Sequence, residues 1–209
     1  MAVVGHSQRR FVLLEEPEPL PRDSFHYVPA LQNKSGELAA LSEAPDDVWE
    51  RMTPLLHLVG PKSQQEKISI DRVKAWIRKL ARAVGERPIY LDVLRIRPNR
   101  SVALKDGGKW PLLKEAFAAA RKRKMNAIPV IWAGESNATH IKLVGNTLGT
   151  DGLGVGIRFR IRSVTFPPGP SGEEYLGELL ASLGATPDCA DLLITSITSP
   201  PMTKSTPKT

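Results

Sequence analysis

The 209-residue sequence predicts an α/β fold of repeated strand–helix units, TIM-barrel-like but incomplete, with about six strands of an eight-stranded barrel. Three observations lead there. Short apolar runs rich in β-branched residues begin roughly 26 to 38 residues apart, about the length of one βα unit. The segments between them carry apolar residues at helical spacing. No glycine-rich phosphate fingerprint follows the first strand, so an open dinucleotide-binding sheet lacks its best signature.

In chain order, the expected strands are HYVPAL (26–31), MTPLLHLV (52–59), PIYLDVLRI (88–96), NAIPVIWA (126–133), GVGIRFRI (154–161) and ADLLIT (190–195). A polar hook, QNKSGE, breaks the first extended run. GELAALSEAPDDVW then restarts as a helix through Leu38, Leu41 and Val48, interrupted at Pro45. ISIDRVKAWIRKLARAVG places Val73, Ile77, Leu80 and Val84 on one face and stops at Gly85. Its IRKLAR segment (77–82) reads as a solvated basic face. WPLLKEAFAAARKRK aligns Leu113, Phe117 and Ala120, with Pro111 tolerated in the first turn and RKRK (121–124) suited to a helix C-terminus. The stretch Ser136 to Leu148 predicts a weaker helix around His140 to Val144, strained by Gly145. SGEEYLGELLASLG aligns Tyr175, Leu179 and Leu183 ahead of Gly184. Pro29, Pro54, Pro88 and Pro129 are expected at or near strand starts, where a missing amide costs least.

This rhythm divides the chain into a flexible N-terminal arm (1–24, with Pro17, Pro19 and Pro21), a partial βα-barrel domain (25–195) and a disordered tail (196–209). Hydrophobic content of 41% with 24% charged residues fits a globular protein rather than a disordered or membrane one. No apolar run approaches the ~18–20 residues that span a bilayer, and the amino terminus lacks a secretory layout, so a cytoplasmic protein with no membrane partner is expected. One cysteine, Cys189, excludes internal disulfides and multi-cysteine metal clusters. It precedes an apolar strand and reads as a small buried residue. The net charge of +7 favours polyanions, but the charge is spread along the chain.

A βα barrel carries its functional residues at the carboxyl ends of its strands. Catalytic candidates are Asp92, Glu37 and His57; ligand-binding candidates are Lys34, Arg95, Trp132, Arg158 and Arg160. Glu37 also suits the first turn of a helix, whose exposed amides favour an anion, and Lys34 an exposed turn, and these plainer readings come first. His57, inside an apolar strand, needs a hydrogen-bond partner, as a general base or as a satisfied core histidine. Asp92 shares a strand face with Tyr90 and Leu94, and a carboxylate among apolar neighbours is costly unless paired. Arg158, Arg160 and Arg162 share one face of GIRFRI, so Asp92 is expected to pair with one of them, in a structural or a catalytic ion pair. Trp132 suits a rim stacking position or the core. The histidines at 6, 26, 57 and 140 lack ligand spacing; no metal and no cofactor are expected.

YVPALQNKSGELAAL resembles the opening of the beta protein family, named for a protein of T-even phages. Tyr27, Pro29, Leu31, Lys34, Glu37, Ala40 and Leu41 match its pattern. MTPLLHL, PIYLDV with Asp92, AIPVIWAG, GVGIRFRI and CADLLI look like the family's second to sixth strands, so the likeness covers about 27 to 194. It implies a barrel-like α/β fold on a longer chain, and a phage-related protein of unassigned activity. The sequence departs from the pattern at Gln32, where Lys is usual, and at His57, where Glu is usual. Because the chain stops after the sixth strand, the hypothesis is a truncated member whose tail from Thr195 is frameshifted; reading the gene across the codons for 185–209 tests it. The expected function is binding of an anionic or polar ligand at the barrel rim, with catalysis left open. Two alternatives stand beside it: a nucleic-acid- or protein-binding component of a phage-defence or mobile-element locus, and a non-functional truncated product. Open sheet edges invite self-association.

Overall fold

The structure is a computed structural model describing residues 26–59, 68–93, 101–103, 109–134, 136, 138–161 and 172–196. Strand β1 (Ala30–Gln32) leads through helices α1 (Ser35–Glu43) and α2 (Asp46–Glu50) to β2 (Leu55–His57). Helix α3 (Ile70–Val84) and β3 (Ile89–Asp92) follow, then the strands β4 (Ser101–Ala103) and β5 (Lys109–Pro111). Next come α4 (Leu112–Arg121), β6 (Ala127–Trp132), α5 (Ala138–Asp151), β7 (Val155–Ile161), α6 (Gly172–Leu183) and β8 (Ala190–Ser196).

Six strands form one parallel sheet in the order β1-β2-β3-β6-β7-β8, so spatial order follows chain order. Right-handed crossovers that never reverse direction put every connecting helix on the same face. The helices accordingly pack side by side as α1, α3, α4, α5 and α6, and the sheet curls as a half-barrel inside them.

Alternation along the strands sorts the core into two layers. Leu56, Ile89, Leu91, Ala127, Ile131, Val155 and Ile157 face the helices and join Val73, Ile77, Leu80, Phe117 and Val144 in the larger cluster. Leu55, Tyr90, Val130, Trp132 and Leu193 form a second cluster on the inner face. Helix α3 shows how local signals set an element. Ser69 accepts a hydrogen bond from the amide of Arg72, the stripe Val73, Ile77, Leu80 and Val84 is buried, and Gly85 ends the helix at φ 64°.

The expected strands and helices are present as far as the described residues reach, 94–96 of the third expected strand lying outside them, with two corrections. β4 and β5 pair antiparallel where no strand was expected. Pro129, expected at or near a strand start, is the third residue of β6, one residue before the ladder to β7 begins at Val130. Cys189 is exposed, in the short turn before β8, and its thiol lies 3.0 Å from the Thr186 hydroxyl. That hydrogen bond pulls its pKa below the ordinary thiol value. On β8, at the sheet edge, Leu192 and Ile194 are also exposed. No helix among the described residues is long and apolar enough to cross a membrane. The expected arm and tail lie outside the described residues, except Ser196, which ends β8.

Candidate functional site

His57, Asp92 and Trp132 are the last residues of β2, β3 and β6, and Arg158 lies opposite Trp132 on β7. In register, Gln32 neighbours His57 and His57 neighbours Asp92. Lateral neighbours in a parallel sheet point to the same face, so strand pairing alone delivers these side chains to the carboxyl-end rim of the inner face. Gln32 and His57 are thus side by side.

Asp92 is fully buried. Its Oδ2 accepts hydrogen bonds from Trp132 Nε1 at 2.8 Å, His57 Nδ1 at 2.9 Å and Arg158 Nη1 at 3.1 Å. Three neighbouring elements therefore converge on one carboxylate oxygen, which supplies the pairing that a buried charge requires. With its Nδ1 proton given to Asp92, His57 presents Nε2 as an acceptor, and Arg158 Nη1 lies 3.2 Å from it. The Arg158 guanidinium also stacks over the Trp132 ring, its carbon 4.7 Å from the centroid. His57, Trp132 and Arg158 are all buried.

Behind the cluster, Ser136 ties β6 to α5. Its hydroxyl accepts from the amide of Trp132 at 3.3 Å and lies 3.0 Å from His140 Nδ1. His140 is buried, and burial pushes its pKa down to about 4, against the opposing pull of the Asp92 charge. One layer deeper on the inner face, the Tyr90 hydroxyl donates to Asp191 Oδ2 at 2.7 Å. Burial first, and then this bond and the charge of Asp191, raise the Tyr90 pKa well above the ordinary phenol range.

The structure brings together four of the residues singled out in the sequence, and the expected Asp92–arginine pair is Asp92–Arg158. Glu37 stands in the first turn of α1 and accepts a hydrogen bond from the Gln32 amide, which closes the polar hook. Lys34 is the exposed N-cap residue of α1; its backbone carbonyl accepts a hydrogen bond from the Leu38 amide at 3.0 Å, and its side chain makes no capping hydrogen bond. Arg95 and the side chain of Arg160 lie outside the described residues. His140 and Ser136 had no functional signal in the sequence beyond their i, i+4 spacing. Among the described residues, no group of three or more His, Cys, Asp and Glu is placed to hold a metal.

A parallel α/β half-barrel with a buried polar cluster at its strand ends is the class that this geometry defines. Within that class, the chain belongs to the Beta protein family, whose model matches residues 27–197. No curated protein matches it.

Proposed function

We propose that the His57–Asp92–Trp132–Arg158 cluster is the ligand site of a TIM-barrel-like rim and takes a small anionic ligand. The observation that carries this reading is the convergence of three donors on the buried Asp92 Oδ2. A buried ion network of this kind adds little stability over a well-packed apolar layer of the same volume, so stability alone does not account for it. Its position supports the same reading, because α/β sheets bind ligands at the carboxyl ends of their strands.

In this reading Arg158 is the anion anchor, held in place by Asp92 and by stacking on Trp132. A bound anion draws Nη1 away from His57, leaving Nε2 with an open lone pair beside the ligand. His57, oriented by Asp92, is then the group that takes a proton from the ligand.

The test is thermal unfolding with a panel of phosphate, sulfate and small carboxylates, on the wild type and on Arg158→Gln. A stabilisation by one of these anions that Arg158→Gln abolishes supports the site. Equal stabilisation of both proteins, or none of either, sinks it.

A further inference from the structure

A groove of about 290 Å³ runs between α1 and α3, outside the sheet and separate from the strand-end cluster. Leu38 contributes to its apolar lining, Asn33, Ser35 and Ser42 supply polar groups, and Lys79 and Arg82 supply charge. Among the described residues, no acidic residue lines it. Its volume is at the lower end for small-molecule pockets, ~300–1,000 Å³.

Lys79 and Arg82 differ from Arg87 and Arg121, each of which is held by an aspartate. Arg87 pairs with Asp46 at 2.5 Å, and Arg121 holds both carboxylate oxygens of Asp151 at 2.9 and 3.0 Å. Among the described residues, Lys79 and Arg82 have no such acidic partner. They sit three apart on α3, where neighbouring side chains share a helix face. Asn33 Oδ1 accepts from the amide of Val59, which leaves the side-chain NH2 to donate. Ser42 donates its hydroxyl hydrogen to the carbonyl of Ala39, so its oxygen lone pairs remain and the positive charge of the groove rests on α3.

We infer that this groove binds a phosphate monoester with an apolar body, the phosphate held by Lys79 and Arg82 and the body laid against Leu38. Two positive charges match a phosphate dianion, and Arg adds a forked donor geometry suited to its oxygens.

The experiment is an amide-resolved NMR titration at fixed ionic strength with phenyl phosphate, inorganic phosphate and benzoate. Phenyl phosphate is expected to shift the amides of Asn33, Ser35, Ser42, Lys79 and Arg82 together and saturably, with at least about threefold tighter binding than inorganic phosphate. Lys79→Ala/Arg82→Ala should weaken it by at least about tenfold, while Lys79→Arg keeps it. Both changed side chains are exposed, so the fold is expected to survive. Tighter binding of benzoate, no saturable shift, or an unchanged response in the double variant overturns the inference. The Trp132 indole resonance and Arg158→Gln report separately on the strand-end cluster, so the two sites fail or hold independently.

Discussion

Tyr90 on β3 reaches past β6 and β7 to give its hydroxyl hydrogen to Asp191 on β8, 2.7 Å away. The route lies across Gly156 of β7, where an added Cβ would come within 2.9 Å of Leu193 Cδ1 and 3.0 Å of Tyr90 Cδ1. A side-chain bond spanning four strands fixes the curl of the sheet, and a residue without a side chain gives the ring its path. Gly156→Ala is therefore expected to destabilise by ~1–3 kcal/mol through overpacking. Tyr90→Phe should cost about 1 kcal/mol, because Asp191 is exposed and regains water. Urea midpoints at unchanged slope would show both losses. A Gly156→Ala midpoint equal to that of the wild type would mean the sheet flattens without penalty.

The Asp92–Arg158 pair makes an asymmetric prediction. Asp92→Asn leaves a buried guanidinium uncompensated and should destabilise by ~3–5 kcal/mol. Replacing both partners by apolar residues, Asp92→Leu with Arg158→Met, should recover most of that loss. A double-mutant cycle on urea unfolding measures the coupling directly. If the apolar pair is stable but no longer responds to anions, the cluster serves binding rather than folding. A double variant as unstable as Asp92→Asn would instead make the polar layer a structural requirement of the half-barrel.

His140 predicts an acid limb of stability. Its folded pKa of about 4 is below the ordinary 6.5, so between these values the unfolded chain binds the extra proton. Stability therefore rises with pH through this window and is lost as pH falls from about 6.5 towards 4. The gap corresponds to roughly 3 kcal/mol at most. Ser136, through its hydroxyl, and Asp92, through its charge, both act on the ring. Unfolding free energies between pH 4 and 7 should fall less steeply for His140→Gln than for the wild type. Parallel curves would assign the acid limb to other groups.

The fold was legible in the sequence because each βα unit announces itself locally. Val73, Ile77, Leu80 and Val84 mark a helix face by spacing alone, and all four are buried. Asp92 was legible for an energetic reason: a carboxylate inside IYLDV needs a partner, and a strand with arginines on alternate positions offers one. The identity of His57 as a second partner was not legible, because it depends on the register between β2 and β3, set by contacts 35 residues apart. Ser136 and His140 look like any serine and histidine until the β6–α5 turn brings the Ser136 hydroxyl to the Trp132 amide and the His140 ring to that hydroxyl. Cys189 shows the opposite error. Its apolar neighbourhood in sequence suggested burial, but β8 is an edge strand, and exposure there depends on what packs against it.

Gly145 offers the sharpest contrast between local preference and packing. It lies inside α5, where glycine is the poorer helix former by about 1 kcal/mol relative to alanine. Local propensity alone would make Gly145→Ala stabilising. In the structure, however, an added Cβ would meet the backbone carbonyl oxygen of Leu183 at 2.8 Å, at the end of α6. A backbone atom cannot swing aside as a side chain can, so α5 and α6 would have to separate, opening the contact around the buried Leu183. Overpacking typically costs ~1–3 kcal/mol and should outweigh the propensity gain, for a net loss of up to about 2 kcal/mol. Gly149, also in α5, has open space around its Cβ position and supplies the control. Gly149→Ala should raise the urea midpoint while Gly145→Ala lowers it; midpoints that rise in both would show that the α5–α6 contact yields to the methyl group.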